Sequence, residues 1–528
     1  MGFDFDVIVI GSGFGGAITA CRLAEANLKV LVLERGRRWS KETYPRKPTD
    51  AWFWNNDAPE RENGWIDLRM FPYMAVAQGA AVGGGSLIYA SISVEAPPHA
   101  FDQSWPVEIT HAELKPYYDA VARFMNIQTI PVHQWTPRTK LMKEAAEKAG
   151  YGDRFKLIGM AVSFDQNLTL DLDNPPGIED SKTFINNQGV TQGTCVHLGN
   201  CDIGCDVYAK NTLDRNYIPW AEKKGADVRE LHIATDIAAY GSGYRVYYDR
   251  IVRGQRVSGH VTGAKVIVAA GSLGSTDLLL NCRDVTGSLS RLSPFLGRNW
   301  SCNGDFLTPA IYPSRNVAPV VGPTITSAID FLDGGFNNQS FWIEDGGWPN
   351  LVNDYLRTGS SDVRNLVLKG IVEGIRVGLQ QVDPAKGVMP WFAQGVDAGN
   401  GVFRLKRPWY FFGRKRLYLD WDPANSEPVV NAIVEMHKKL SAATGGMPLV
   451  PPTWTLGKSL ITPHPLGGCA MADSPDRGVV DHKCEVFSYP NLYVCDGAVF
   501  PHAIGVNPSR TIGAIAERTA KLIVNRAL

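Results

Sequence analysis

The segment Asp6–Gly36, DVIVIGSGFGGAITACRLAEANLKVLVLERG, constrains this chain more than any other. Val7-Ile8-Val9-Ile10 is a β-branched run of the length and content of a buried parallel strand. Gly11, Gly13 and Gly16 follow at once in G-x-G-x-x-G spacing. The first suits a tight turn, the second lets a pyrophosphate approach the backbone, and the third lets a helix pack on the strand. Ala17 to Ala26 reads as that helix, with Ala17, Ala20, Cys21 and Ala24 small enough to lie against a sheet. A second strand, Val30-Leu31-Val32-Leu33, ends at Glu34, where an acid commonly accepts hydrogen bonds from a ribose. This order of elements predicts a βαβ site for an ADP-containing dinucleotide. FAD and NAD share the pattern; Glu34 argues against NADP, because its charge would repel a 2′-phosphate.

At 528 residues the chain exceeds one ordinary domain, so two domains or one large interleaved unit are expected. Its 53 basic and 53 acidic residues cancel, which points away from nucleic acid and from strongly charged ligands. No apolar run reaches membrane-spanning length, and the first strand starts almost at Met1, leaving no signal peptide. The default expectation is a cytoplasmic protein, with export by a removed signal left open. Nine cysteines, odd in number and mostly scattered, suit reduced thiols better than a disulfide framework.

Residues 45 to 75 place Trp52, Phe53, Trp54, Trp65, Phe71 and Tyr73 among prolines and charges. They suit either a long loop covering a cleft or core filling. Thr110-His111-Ala112-Glu113 is a capping-box pattern that predicts a helix to about Met125, and a second helix spans roughly Lys140 to Lys148. Arg245 to His260 alternates as a hairpin would, and Val266-Ile267-Val268-Ala269 is another buried strand entering the turn Ala270-Gly271. From about Cys302 to Pro451 alternating segments replace the apolar runs, predicting an antiparallel sheet with one clear helix, Glu427 to about Ala443. Glu344 ends the largely apolar stretch Ser340-Phe341-Trp342-Ile343, so it either faces a cleft with a raised pKa or sits exposed in an ion pair. Trp409 to Arg416 joins aromatics to basic residues, the pattern of a transient membrane contact or of a core edge beside solvated charge. Cys195, Cys201 and Cys205 cluster as C-x5-C-x3-C, either iron–sulfur ligands or structural thiols.

GFGGAITACRLAEANLKVLVLERG, followed by Ala81-Val82-Gly83-Gly84-Gly85-Ser86-Leu87-Ile88-Tyr89, resembles the glucose–methanol–choline oxidoreductases, and among them the cholesterol oxidase branch. The resemblance extends to Pro463-His464-Pro465-Leu466-Gly467-Gly468-Cys469, Asp496-Gly497 and Gly505-Val506-Asn507-Pro508. It implies an α/β fold in which a Rossmann-like FAD domain (1–105, 185–301, 455–528) interleaves with a substrate domain on an antiparallel sheet (106–184, 302–454). It implies FAD held by Gly11, Gly13, Phe14, Gly16, Glu34, Gly83, Gly84, Gly85, Ser86, Ala270, Gly271, Asp496, Gly497, Asn507 and Pro508. Some sugar dehydrogenases of this family carry a three-iron cluster near the position of Cys195, Cys201 and Cys205, whereas alcohol and sterol oxidases have cysteines there without one.

The implied reaction is hydride loss from an alcohol to the flavin, giving a carbonyl, with oxygen or another electron acceptor downstream. His464 matches the family's acid/base histidine and Asn507 its orienting asparagine, while Glu344 resembles by position an active-site glutamate. Asn507 also stands where a cap would open the last helix, with Pro508 as its first residue. His502 lies in the same loop but matches no motif. Tyr89, where cholesterol oxidases tend to have asparagine, departs from the pattern.

Overall fold

The computed structural model describes residues 2–47, 49–352, 383–407 and 415–527. Of Trp409–Arg416 only Lys415 and Arg416 fall within them, so the surface role expected of that segment lies outside the described residues.

The strand Phe5–Ile10 runs through a seven-stranded sheet. Val7–Ile10 pair in parallel with Val30–Leu33 on one side and with Lys265–Val268 on the other. All four are buried, as a parallel strand covered on both faces must be. The strand Gln255–Val268 has two roles. Its polar first half forms the expected antiparallel hairpin with Gly243–Val252, and its apolar end joins the parallel core, where Val266–Val268 also pair with Leu492–Val494. The helix Phe14–Glu25 packs against the last helix, Ser509–Ala527. Arg22 fastens the two, donating to both oxygens of Glu517 at 2.7 and 2.8 Å. The helix His111–Phe124 opens as the capping box predicts, with Thr110 Oγ1 accepting from the Glu113 N–H at 3.1 Å.

The second layer is a six-stranded antiparallel sheet in the order 447–448, 306–311, 388–395, 339–345, 327–336, 155–157. The amphipathic helix Glu427–Ala443 buries Val430, Ile433, Met436 and Leu440 against it, and Pro137–Lys148 packs alongside. Arg138, fully buried, donates to the carbonyls of Val321, Pro323, Thr324 and Gly346 at 2.8–3.0 Å. A guanidinium satisfies this many acceptors at once, and so it anchors two loops that wall the cavity described next. The chain is thus α/β, with a Rossmann-like sheet beside an antiparallel one. Among the described residues no helix is long and apolar enough to cross a membrane.

Candidate active site

Between the two sheets lies a cavity of about 1180 Å³, bordered by residues from the first strand to the last helix. One end is made by the glycine turns. Gly11 has φ +97°, and a side chain there would meet the carbonyl of Ala269 at 2.3 Å. Gly16 abuts the carbonyl of Gly11, whereas beside Gly13 and Gly85 the space is open, which is the cradle a pyrophosphate and a flat ring need. Glu34 borders this end, and its carboxylate accepts from Ser12 N–H at 2.9 Å, Ser12 Oγ at 2.7 Å and Gly36 N–H at 2.8 Å. Asp496 accepts from Gly271 N–H, Ser275 Oγ and Ala498 N–H, tying the start of the helix Gly271–Asp284 to the turn at Gly497.

Phe14, Gly84, Ala270, Gly271, Asn507 and Pro508 also border the cavity. Gly16, Gly83 and Ser86 do not; they stand behind its wall, where Ser86 Oγ donates to the Gly83 carbonyl at 2.7 Å and accepts from Leu213 N–H at 3.0 Å. The aromatic loop divides. Phe53, Trp54 and Phe71 border the cavity, while Trp65 is buried edge-on between Trp39 and Tyr44.

The other end brings together His464 and Asn507. His464 Nδ1 lies 2.9 Å from Oδ1 of Asp305, which is fully buried and also accepts from Thr462 Oγ1 at 2.5 Å. Burial pushes the Asp305 carboxyl up, with the charge and hydrogen bonds of His464 and Thr462 pulling it back; ionised, it can only accept, which puts the hydrogen on Nδ1 and leaves Nε2 as the free nitrogen. Burial alone would push the imidazole's pKa down, but the charge and hydrogen bond of Asp305, with the charge of Glu344, leave it above the ordinary value.

Asn507 Oδ1 is buried without a partner. The last helix starts at Ser509, so Pro508 is the residue before it and Asn507 is not the cap that the sequence predicts. The Asn507 loop is held instead by Asn303, which donates to the Val506 carbonyl at 3.0 Å and accepts from Ile504 and Gly505 N–H.

Glu344 does not face the cavity. It is fully buried behind the wall, accepting from Trp342 Nε1 and Gln394 Nε2, each at 3.0 Å. Burial pushes it up to about 7, with Gln394, Trp342, His464 and Asn507 pulling the other way. His502 sits apart, its Nε2 3.3 Å from Asp102. Tyr89 borders the cavity with its ring; its hydroxyl is committed to the Asn211 carbonyl at 2.9 Å.

Of the two alternatives for Cys195, Cys201 and Cys205, iron–sulfur ligation finds no support: among the described residues no three His, Cys, Asp or Glu side chains are grouped to hold a metal. A cluster needs converging thiolates. Here burial pushes the Cys195 thiol up, and burial together with Asp202 pushes Cys201 up to about 11. The buried Lys210 ammonium stands among them, donating to the carbonyls of Cys201 at 2.7 Å and Leu87 at 2.9 Å.

Asp305 and Asn303 carry no motif. The only local signal is a turn, Asn303-Gly304-Asp305, before an apolar strand, and its partners lie far along the chain.

The GMC oxidoreductase family matches residues 5–156 and 416–516. A cholesterol oxidase of Acinetobacter baumannii is 31% identical, with 99% of this chain and 94% of that protein covered. One of Mycobacterium tuberculosis is 30% identical over 99% of this chain and 92% of its own. The crystal structure of a pyridoxine 4-oxidase from Mesorbium loti shares the fold at TM-score 0.62 and 17% identity, covering 98% and 99% of the two chains. The glycine-built nucleotide cradle and the His464–Asn507 end are thus set in a whole-length likeness, and the chain belongs to the GMC oxidoreductase family.

Proposed function

We propose that this oxidoreductase converts a bulky, largely apolar secondary alcohol of the sterol kind to a carbonyl. GMC oxidoreductases are FAD flavoproteins, and the open space at Gly13 and Gly85, the Glu34 carboxylate and the unpaired Asn507 Oδ1 fit that cofactor. In this reading residues 1–105, 185–301 and 455–528 carry the cofactor, and 106–184 and 302–454 carry the substrate.

The observation behind the reading is His464, with one nitrogen committed to Asp305 and the other free at the cavity beside Asn507. FAD, when bound, supplies the acceptor for the hydride leaving the carbinol carbon. His464 Nε2 takes the hydroxyl proton as the carbonyl forms, and Asn507 orients that hydroxyl without adding charge. The start of the last helix, immediately after Pro508, adds its positive end on the same side.

The apolar side chains Tyr89, Ile92, Leu307, Ile325 and Phe392 along the wall, with the cholesterol oxidase relatives, favour a sterol over a sugar. The buried hydroxyl of Tyr89 means that its departure from the family pattern adds ring surface rather than a polar contact.

Anaerobic mixing with a 3β-hydroxysterol in detergent micelles, a short primary alcohol or glucose tests this reading through loss of the flavin's visible absorbance. The sterol is expected to bleach the protein at least about 100-fold faster than the small alcohols. Glucose or the short alcohol reacting as fast, with the sterol inert, would overturn the assignment. Return of colour with peroxide on admitting air identifies oxygen as the acceptor.

A further inference from the structure

We propose that Asp305 is a positioning residue for the alcohol oxidation, holding His464 in the one tautomer whose Nε2 can accept the substrate's proton. This rests on the reading above and adds to it a residue that neither motif contains.

The geometry is specific. Both Asp305 oxygens lie within hydrogen-bond reach of Nδ1, at 2.9 and 3.1 Å, so the imidazole has no second partner to rotate toward on that side. Thr462 secures both members, donating through Oγ1 to Asp305 and accepting from the His464 N–H at 2.9 Å. The turn that carries Asp305 is itself held. Ser301 Oγ donates to Asp397, and the Cys302 N–H reaches the same carboxylate at 3.3 Å. Gly304, at φ +61°, packs on the Gly395 carbonyl, where a side chain would have 2.6 Å.

Two residues earlier, Asn303 pins the loop that ends in Asn507. One short turn therefore sets the tautomer of the base and the position of its partner. A base and an orienting amide are effective only if their geometry is fixed before the substrate arrives.

The charged and titratable groups facing His464 are Asp305, from the turn before the strand Phe306–Ile311, and Glu344, from the strand Gln339–Asp345. Asp397 and Cys302 lie behind Asp305. Because the neutral imidazole is the base, turnover rises with pH as His464 loses its proton. Replacing Asp305 by a neutral amide lowers the His464 pKa and moves that acid limb to lower pH. An amide can also donate to Nδ1, which puts the hydrogen on Nε2 and removes the base.

Asp305→Asn is expected to reduce kcat by about 10²–10⁴-fold with KM little changed, and to shift the acid limb down by about one pH unit. Asp305→Glu is expected to restore part of the rate. A readout that needs no turnover is the ring ¹⁵N spectrum of histidine-labelled holoprotein, with the His464 signals assigned by their loss in His464→Gln. At alkaline pH, where the imidazole is neutral, its single hydrogen is expected on Nδ1 in the wild type and on Nε2 in Asp305→Asn. Should Asp305→Asn fail to fold with FAD, the wild-type spectrum alone decides, and a hydrogen on Nε2 there overturns the proposal. An Asp305→Asn enzyme with wild-type rate and limb, while His464→Ala is inactive, sinks the positioning role and leaves the oxidation reading intact. Full turnover by His464→Ala sinks both.

Discussion

At the nucleotide end of the cavity Glu34 and Asp496 each hold three hydrogen bonds from the protein, and the space between them exists because glycines leave it empty. At the His464 end the amide oxygens of Asn507 and Gln394 are buried with no partner, and two carboxylates bear on one imidazole. A buried polar atom left unpaired costs about 1–3 kcal/mol, which a protein tolerates where something else completes it. The first end is finished as a mould. The second leaves polar atoms unpaired around an imidazole, which is what the proposed proton transfer there calls for.

The sharpest way to separate the ends is a pair of variants. His464→Ala should cut turnover by about 10²–10⁴-fold while the purified protein stays yellow. Gly11→Val should do the reverse of the latter, giving colourless protein, because φ +97° and the Ala269 carbonyl at 2.3 Å exclude a side chain. Flavin lost from His464→Ala would show that the two ends are not independent.

Glu344 sharpens the comparison through pH. Burial pushes it from an ordinary 4.5 up to about 7, so the fold prefers it protonated. The stability it contributes is present below pH 4.5 and lost as pH rises toward 7. Glu344→Gln should therefore gain on the wild type across that window, by roughly 2–3 kcal/mol in chemical denaturation. A constant difference from acid to neutral pH would mean that Glu344 has the same pKa folded and unfolded. The smallest effect is expected from Tyr89→Phe, which loses the bond to the Asn211 carbonyl: about 1 kcal/mol of stability, and no change in the ranking of alcohols.

Much of the mould was readable along the chain. The roles expected of Gly11, Gly13 and Gly16 describe the turn, the open space and the helix contact that the structure has. Thr110 caps its helix, and the helix Glu427–Ala443 has the bounds its pattern suggests. These signals work because each is settled within one turn, one strand or one helix face, where periodicity and backbone sterics act directly. Reading Asn507 as a helix cap failed for a related reason: Asn-Pro is a start signal, but only packing decides whether the asparagine bends back to the helix or is held by Asn303 toward the cavity.

The cysteines and Glu344 show the limit from the other side. C-x5-C-x3-C records that three thiols are near one another in sequence, while burial pushes the Cys195 and Cys201 thiols up and the fold does not gather them into a metal-holding group among the described residues. For Glu344 the sequence left open a cleft-facing shifted carboxyl or an exposed ion pair, because which face of the strand meets the cavity depends on the register with Val388–Gly395 that sets Gln394 against it.

By itself the sequence determined the dinucleotide βαβ unit and the change from parallel to antiparallel architecture near Cys302, and its family resemblance singled out His464 and Asn507, which the structure brings to one cavity. Tertiary structure alone decided that Asp305 meets His464, that Asn303 holds the Asn507 loop, and that Glu344 lies behind the wall rather than in it. The physical reason is range. Strand, turn and cap preferences are local free energies legible in neighbouring residues, whereas a carboxylate finds a distant imidazole only through the packing of whole sheets and the low dielectric that packing creates.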